Sequence, residues 1–76
     1  MENEEKKFIE KFGKTLKQIR TEKKLSQEML ANDANIPINQ IGRIERGEIS
    51  TSLSTIFKIS RALEIPVQEL FNFETK

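Results

Sequence analysis

Apolar residues recur every three or four positions along most of the chain, which is the spacing of one face of an α-helix. The first such stripe contains Phe8, Phe12, Leu16 and Ile19, and it predicts a helix over residues 6–23. No segment alternates apolar and polar residues in the way that a half-buried strand does. The pattern therefore predicts an all-α protein.

Signals for helix ends divide the rest of the chain into four more helices. Ser26 and Ser52 are favourable N-caps, because a serine oxygen accepts a hydrogen bond from an amide of the first turn. Pro37 and Pro66 fix their own backbone angle and favour an extended residue before them, so each predicts a helix start. Gly47 lies where a left-handed residue would end the third helix. We therefore expect five helices in one compact domain.

The expected core consists of the apolar positions that share one face of each predicted helix. After the first helix these are Met29, Leu30, Ala31 and Ala34 in the second, Ile41 and Ile44 in the third, Leu53, Ile56, Ile59 and Leu63 with Phe57 beside them in the fourth, and Val67, Leu70 and Phe71 in the fifth. In a chain of 76 residues with 36% hydrophobic composition, this core is modest.

The predicted helices also set the expected limits of the domain. We expect a flexible N-terminal segment over 1–5, a folded domain over 6–72 and a C-terminal tail over 73–76.

Composition argues against several classes of function. The chain has no cysteine and no histidine, so disulfides, thiolate zinc sites and the commonest general base are excluded. A glycine-rich phosphate loop is also missing. We therefore expect no catalytic site, no metal and no cofactor.

Apolar runs of three residues or fewer are too short to cross a bilayer. The chain also shows no secretory signal pattern, so we expect a cytoplasmic protein with no membrane partner.

Charge is distributed unevenly, although the net charge is only +1. Residues 6–24 contain eight basic and two acidic side chains, whereas residues 62–76 contain one basic and three acidic side chains. A positive pole of this kind suits a protein that docks one face on phosphate. A solvated, lysine-rich helix would give the same run, so charge alone leaves both interpretations open.

The second and third predicted helices are short and are separated by a bend at Asn35. On the third helix, the face opposite the apolar one carries Ile38, Asn39, Gly42, Arg43 and Arg46. Two short helices joined by a tight bend, the second with a polar outward face, are typical of a DNA-binding helix-turn-helix and not of a catalytic site.

Over roughly residues 9–71 the sequence resembles the Xre family of lambda-repressor-like helix-turn-helix transcription regulators. Three segments carry the resemblance: LSQEMLANDANIPINQIGRIERG at 25–47, SLSTI at 52–56 and ALEIPVQELF at 62–71. The resemblance implies a compact five-helix domain that binds double-stranded DNA with its third helix in the major groove. Ile38, Asn39 and Arg43 match base-facing positions, with Gly42 on the same side. Asparagine pairs with adenine, arginine with guanine, and isoleucine contacts a thymine methyl group.

The resemblance implies further contacts with the DNA backbone. Gln27 and Arg46 match positions that contact phosphate, and Gln40 is a weaker candidate for either role. Each assignment has a plainer alternative. Asn39 and Gln40 are also compatible with ordinary exposed helix positions, and Arg43 is compatible with an ion pair to a neighbouring carboxylate.

Arg20 and Glu45 match positions that the family joins in a partly buried ion pair between the first helix and the end of the third. We expect this pair to be structural. The chain also departs from the family pattern. Asn35 and Glu64 replace the usual glycines at two left-handed positions, and Glu48 replaces a commonly basic loop residue. Phosphate binding by that loop is therefore expected to be poor.

One such domain reads too few base pairs for useful selectivity, so we expect a homodimer on two half-sites. The apolar residues left over for an interface lie near the C-terminal end: Ile65, Val67, Leu70, Phe71 and Phe73. Phe73 is the sharpest candidate, because it lies in an otherwise polar tail. The alternative is that Phe73 folds back to cover the domain's own core.

Two functions of different classes follow from these patterns. The first is a sequence-specific regulator, most simply a repressor that binds a palindromic operator and occludes polymerase. The second is a protein-interaction module on the same fold, such as an antitoxin or a bridging factor. Asn39, Gln40 and Arg43 favour the first, because amide and guanidinium groups can read base edges.

Overall fold

The structure is a computed structural model that describes residues 2–74, and Met1, Thr75 and Lys76 lie outside the described residues. Four α-helices are followed by a short 3-10 helix: α1 Glu2–Glu22, α2 Gln27–Ala34, α3 Ile38–Glu45, α4 Leu53–Leu63, and the 3-10 helix Val67–Phe71. No strand occurs between residues 2 and 74. The prediction of an all-α fold is confirmed, but the fifth helix is a 3-10 helix. Its amides bond three residues back, as in the contact of 3.0 Å from Glu69 N to Pro66 O, because so short a segment closes tighter turns.

Helix α1 begins four residues before its predicted start. Residues 2–5, which were expected to be flexible, belong to the helix. The acidic side chains of Glu4 and Glu5 lie in its first turns, where negative charge interacts favourably with the helix dipole. Met1 of the predicted N-terminal segment and residues 75–76 of the predicted tail are among the residues left undescribed, and the domain limits themselves stay a prediction.

The predicted helix caps are present. Ser26 Oγ accepts a hydrogen bond of 3.0 Å from the Met29 amide, and Ser52 Oγ accepts one of 3.1 Å from the Thr55 amide. Helix α4 ends at Glu64, which adopts the left-handed conformation with φ 59°. The expectation of a left-handed residue at Glu64 is therefore confirmed, and a non-glycine residue in this region is strained by roughly 1 kcal/mol.

The core lies between α1, α2, α3 and α4 and is closed by the 3-10 helix. Its fully buried side chains are Leu16, Leu30, Ile41, Ile44, Ile59, Leu63 and Leu70. Each of them occupies a position on a predicted apolar face, so the helical periodicity identified the centre of the core correctly.

Five residues predicted on apolar faces are exposed, and one of them is Val67, the first residue of the 3-10 helix. Leu53 is 83% exposed because it is the first residue of α4, and the core does not extend to this end of the helix. Met29 is 48% exposed in the first turn of α2. Phe57 lies beside the buried stripe of α4 and contacts the Arg61 guanidinium, which is 5.5 Å from the ring centroid. Phe8 is partly exposed near the start of α1 and packs against the aromatic rings of Phe71 and Phe73.

Gly13 allows α1 to approach the end of α3 backbone to backbone. A Cβ atom at Gly13 would collide with the carbonyl oxygen of Ile44 and would lie 2.7 Å from that of Glu45. Only glycine admits so close a crossing. Gly13 therefore sets how near α3 lies to α1, and through this contact it helps to fix the orientation of α3.

Candidate nucleic-acid interface

Helices α2 and α3 are joined by a bend of three residues. Asn35 ends α2 in the left-handed conformation with φ 59°, and Pro37 precedes α3. Between them, Ile36 is buried and its amide donates a hydrogen bond of 2.9 Å to the Ala31 carbonyl oxygen. Asparagine tolerates the left-handed region better than most residues, so Asn35 serves where a glycine was expected. The buried Ile36 side chain and its amide hydrogen bond stabilise the bend, which sets α3 at an angle to α2.

One face of α3 is buried and the opposite face is free. Ile41 and Ile44 are fully enclosed, whereas Ile38 is 49% exposed and Asn39 and Arg43 are also exposed. Asn39 and Arg43 are four residues apart and so lie on the same side of the helix, one turn from each other. A helix that lies in a DNA groove has this arrangement, with one face packed on its own domain and polar groups exposed on the other.

A shallow depression lies along one side of this outer face. It is lined by Pro37, Asn39, Gln40, Arg43 and Ile49. The structure therefore brings Gln40 beside Asn39 and Arg43, although Gln40 itself is half-buried. The loop after α3 closes the far side of the depression through Ile49.

Gly42 was expected on the same side of α3 as Asn39 and Arg43, but unlike them it is not exposed. It is buried beneath two side chains that cross α3: a Cβ atom there would lie 3.0 Å from Arg46 Nη1 and 3.5 Å from Gln27 Oε1. The absence of a side chain at Gly42 gives Gln27 and Arg46 room to lie over the helix.

A buried network connects α3 to the two helices before it. Arg20 donates to both oxygens of the Glu45 carboxylate, from Nε at 2.6 Å and from Nη2 at 3.0 Å. Arg20 Nη1 donates to the Leu25 carbonyl oxygen at 2.8 Å, and Gln27 Nε2 donates to Glu45 Oε1 at 3.0 Å. The ion pair implied by the resemblance is therefore present, and it also holds the turn after α1 and the first residue of α2.

Gln27 thus has a structural contact in addition to its expected role at phosphate. One hydrogen of its side-chain amide is used by Glu45, but an amide nitrogen carries two donors. Gln27 is also the first residue of α2, so its backbone amide is one of the groups that a helix start offers to an anion. The contact with Glu45 holds the side chain beside α3.

The two arginines of the outer face share one carboxylate. Arg46 Nε lies 2.6 Å from Glu48 Oε2, and Arg43 Nε lies 3.7 Å from Glu48 Oε1. The hydrogen bond from Arg46 lowers the pKa of the Glu48 carboxyl below its ordinary value and raises the pKa of the Arg46 guanidinium. The alternative noted for Arg43, an ion pair with a neighbouring carboxylate, is thus present in the protein without DNA.

Comparison with known proteins identifies the family of this fold and site. The helix-turn-helix family model matches residues 16–70, which is most of the chain. The chain belongs to the helix-turn-helix family. Control protein C.BamHI of Bacillus amyloliquefaciens is 42% identical over 65 residues, which cover 84% of this chain and 80% of that protein. The immunity repressor protein of Bacillus phage phi105 is 40% identical over 63 residues, which cover 83% of this chain but 44% of the repressor.

A solved structure supports the same assignment. The restriction-modification controller protein C.AhdI from Aeromonas hydrophila superposes with a TM-score of 0.82 at 43% identity, and the match covers 83% of this chain and 96% of that chain. This helix-turn-helix protein is accordingly a DNA-binding transcription regulator, as its sequence predicted. Across residues 2–74, no helix combines the length and the apolar character needed to span a bilayer.

The apolar residues expected at a dimer interface divide into two groups. Leu70 is fully buried in the core of its own chain, so it is not available to a partner and the prediction is wrong for this residue. Phe73 folds back, with its ring centroid 5.4 Å from that of Phe8, and Phe71 lies 5.1 Å from Phe12. Val67 is exposed and Ile65 is half-buried. Of the residues expected at the interface, Ile65, Val67, Phe71 and Phe73 therefore keep some exposed surface.

Sequence reasoning missed two features of the interface, namely Gly13 and the pairing of Glu48 with both arginines. A glycine inside the apolar stripe of a predicted helix is unfavourable, and this is a recognisable sign of a close backbone approach. The pairing of Glu48 depends on the left-handed turn at Gly47, where φ is 73°. The sequence predicted a left-handed residue at Gly47, but it does not show which side chains Glu48 meets after the turn.

Proposed function

We propose that this regulator binds a palindromic operator as a homodimer, with α3 in the major groove, and represses transcription by occluding polymerase. The observation that carries the proposal is the pair of exposed side chains Asn39 and Arg43, one turn apart on the outer face of α3. The inner face of the same helix is packed, and its end is fixed by the Arg20–Glu45 pair. An amide and a guanidinium held in this way suit adenine and guanine edges.

The proposed contacts fall into two classes. Ile38, Asn39 and Arg43 contact base edges, with Gln40 at the edge of the contact, and they determine which sequence is bound. Gln27 and Arg46 contact phosphates and fix the position of α3 in the groove. Gly42 supports both phosphate contacts from beneath.

Dimerisation follows from the small number of bases that one α3 can read. The proposed interface uses the exposed apolar surface formed by Ile65, Val67 and the outer edges of Phe71 and Phe73. The match to control proteins along most of their length supports a regulator of the same kind. Their control role is the basis for proposing that this chain also governs a small set of target genes.

Selection of bound duplexes from a random pool tests the proposal. The expected result is a palindromic consensus whose half-sites are centred about one helical turn, roughly 10 base pairs, apart. Sedimentation of the chain with the selected duplex should give two protein chains per duplex. A pool that shows no enrichment would contradict the proposal, and it would favour the protein-interaction role on the same fold.

A further inference from the structure

The backbone after α3 brings Glu48 back beside the helix that precedes it. Gly47 adopts the left-handed conformation, and the Glu48 amide then donates a hydrogen bond of 2.9 Å to the Arg43 carbonyl oxygen. A glycine takes this conformation without strain. The backbone of Glu48 is therefore held beside the end of α3, and the side chain starts within reach of both arginines.

The Glu48 carboxylate contacts the two arginines through different atoms. Arg46 meets it with Nε at 2.6 Å and with Nη2 at 3.4 Å, which is a two-point contact. The ion pair with Arg43 is longer, with Arg43 Nε 3.7 Å from Glu48 Oε1, which is beyond hydrogen-bond distance. The Arg43 guanidinium can therefore still donate to O6 and N7 of a guanine. The side chains of Arg43, Arg46 and Glu48 are each about half-exposed, so all three can meet DNA.

We propose that Glu48 determines the ratio of specific to non-specific DNA affinity of this regulator. Glu48 compensates the charge of Arg46 and orients Arg43, and we call this arrangement of three side chains the Glu48 clamp. The inference rests on the proposed function, because it concerns how the same face of α3 discriminates between sequences. Glu45, the other carboxylate near Arg46, is committed to Arg20 in the buried pair.

The clamp affects the two kinds of complex differently. Non-specific binding comes almost entirely from attraction between basic side chains and phosphates, so a carboxylate held on Arg46 weakens it directly. A specific complex suffers the same repulsion, but it also uses Arg43 on a base edge. In the specific complex, Glu48 holds Arg43 in place beforehand, so Arg43 loses less side-chain entropy when it contacts the base. Glu48 therefore reduces non-specific affinity more than specific affinity.

Three variants separate charge from orientation. Glu48→Gln removes the charge, and Glu48→Asp keeps the charge but shortens the side chain by one methylene. Glu69→Gln is the matched control, because it makes the same charge change on the exposed surface of the 3-10 helix. Affinity is measured by fluorescence anisotropy on the selected duplex and on a scrambled duplex of equal composition, over a series of salt concentrations. Thermal melts establish that each variant is folded.

Glu48→Gln should raise the affinity for the scrambled duplex about eightfold at roughly 0.1 M salt. The slope of log affinity against log salt concentration should become steeper by about 0.9, which is the effect of one added phosphate contact. The affinity for the selected duplex should rise by less. Glu48→Asp should leave the scrambled duplex unchanged and weaken the selected one. Glu69→Gln should change neither.

Two outcomes would overturn the inference while leaving the proposed function intact. One is an equal gain on both duplexes with Glu48→Gln, and the other is a gain no larger than that of Glu69→Gln. A wild-type chain that binds selected and scrambled duplexes alike would instead contradict the proposed function. The two failures are therefore distinguishable in one set of titrations.

Discussion

The guanidinium of Arg20 donates two hydrogen bonds to the carboxylate of Glu45, and it does so across the junction between α1 and the end of α3. Both side chains are nearly inaccessible to solvent. A buried ion pair of this kind is weak evidence for net stability, but breaking it is costly because one charge is left buried without compensation. The pair therefore matters chiefly for the position of α3.

Replacing Glu45 with glutamine should destabilise the protein and weaken DNA binding together. The glutamine keeps the shape of the side chain but leaves the Arg20 charge uncompensated, at a cost of about 3 kcal/mol. Urea unfolding gives the change in the free energy of unfolding, and anisotropy gives the affinity for the selected duplex. The control is Glu28→Gln, which makes the same change at an exposed position of α2. An unchanged melting temperature and affinity for Glu45→Gln would exclude the structural role.

Most of the fold follows from the sequence, because it depends on local signals. The spacing of Leu16, Ile41 and Ile59 identifies inner helix faces, and the serines and prolines mark helix starts at chemically defined positions. Leu53 fits the same apolar spacing but is exposed, since periodicity records direction around a helix and not distance from the core. Leu70 was assigned to an interface for a related reason: from the sequence alone, an inner and an outer apolar residue look the same.

The candidate site was predictable only in part. Asn39 and Arg43 could be assigned to an outer face because their spacing is helical. Gly42 is covered by the Gln27 side chain from α2 and by Arg46, and the position of Glu48 depends on the turn after α3. The contact from Gln27 is a tertiary relationship that no local pattern encodes. The turn at Gly47 was predicted, but the partners of the Glu48 side chain were not.

Gly13→Ala should destabilise the protein, against the usual effect of this substitution. In a helix, alanine is favoured over glycine by about 1 kcal/mol. At Gly13 the added methyl group would meet the backbone of α3, with Glu45 O at 2.7 Å, and overpacking of this kind costs about 1 to 3 kcal/mol. Thermal unfolding should therefore show a lower melting temperature. Lys14→Ala, at the exposed neighbouring position, serves as the control. Stabilisation by Gly13→Ala would mean that α1 and α3 are not in close contact.

The Glu48 carboxyl should titrate at a lower pH than an ordinary glutamate. The hydrogen bond from Arg46 stabilises the ionised form and so lowers the pKa from its ordinary value of 4.5. Because the folded-state pKa is depressed, the contact is fully present above the ordinary value and is lost as the pH falls through the folded-state value. Carbon-detected NMR of the side-chain carboxyl measures this titration. Arg46→Gln should move the pKa back up, and a wild-type value at or above 4.5 would be inconsistent with the ion pair.

Arg43→Ala and Arg46→Ala should weaken DNA binding in different ways, although each removes one arginine from the same end of α3. Arg43 is assigned to a base edge, so its loss should cost about 1 to 3 kcal/mol on the selected duplex and relax the consensus at one position per half-site. Arg46 is assigned to a phosphate, so its loss should weaken selected and scrambled duplexes alike and reduce the salt dependence by about 1. Both side chains are exposed, so neither change should lower the melting temperature appreciably. Salt titrations on the two duplexes measure both effects, and a uniform loss for Arg43→Ala would assign that residue to the backbone.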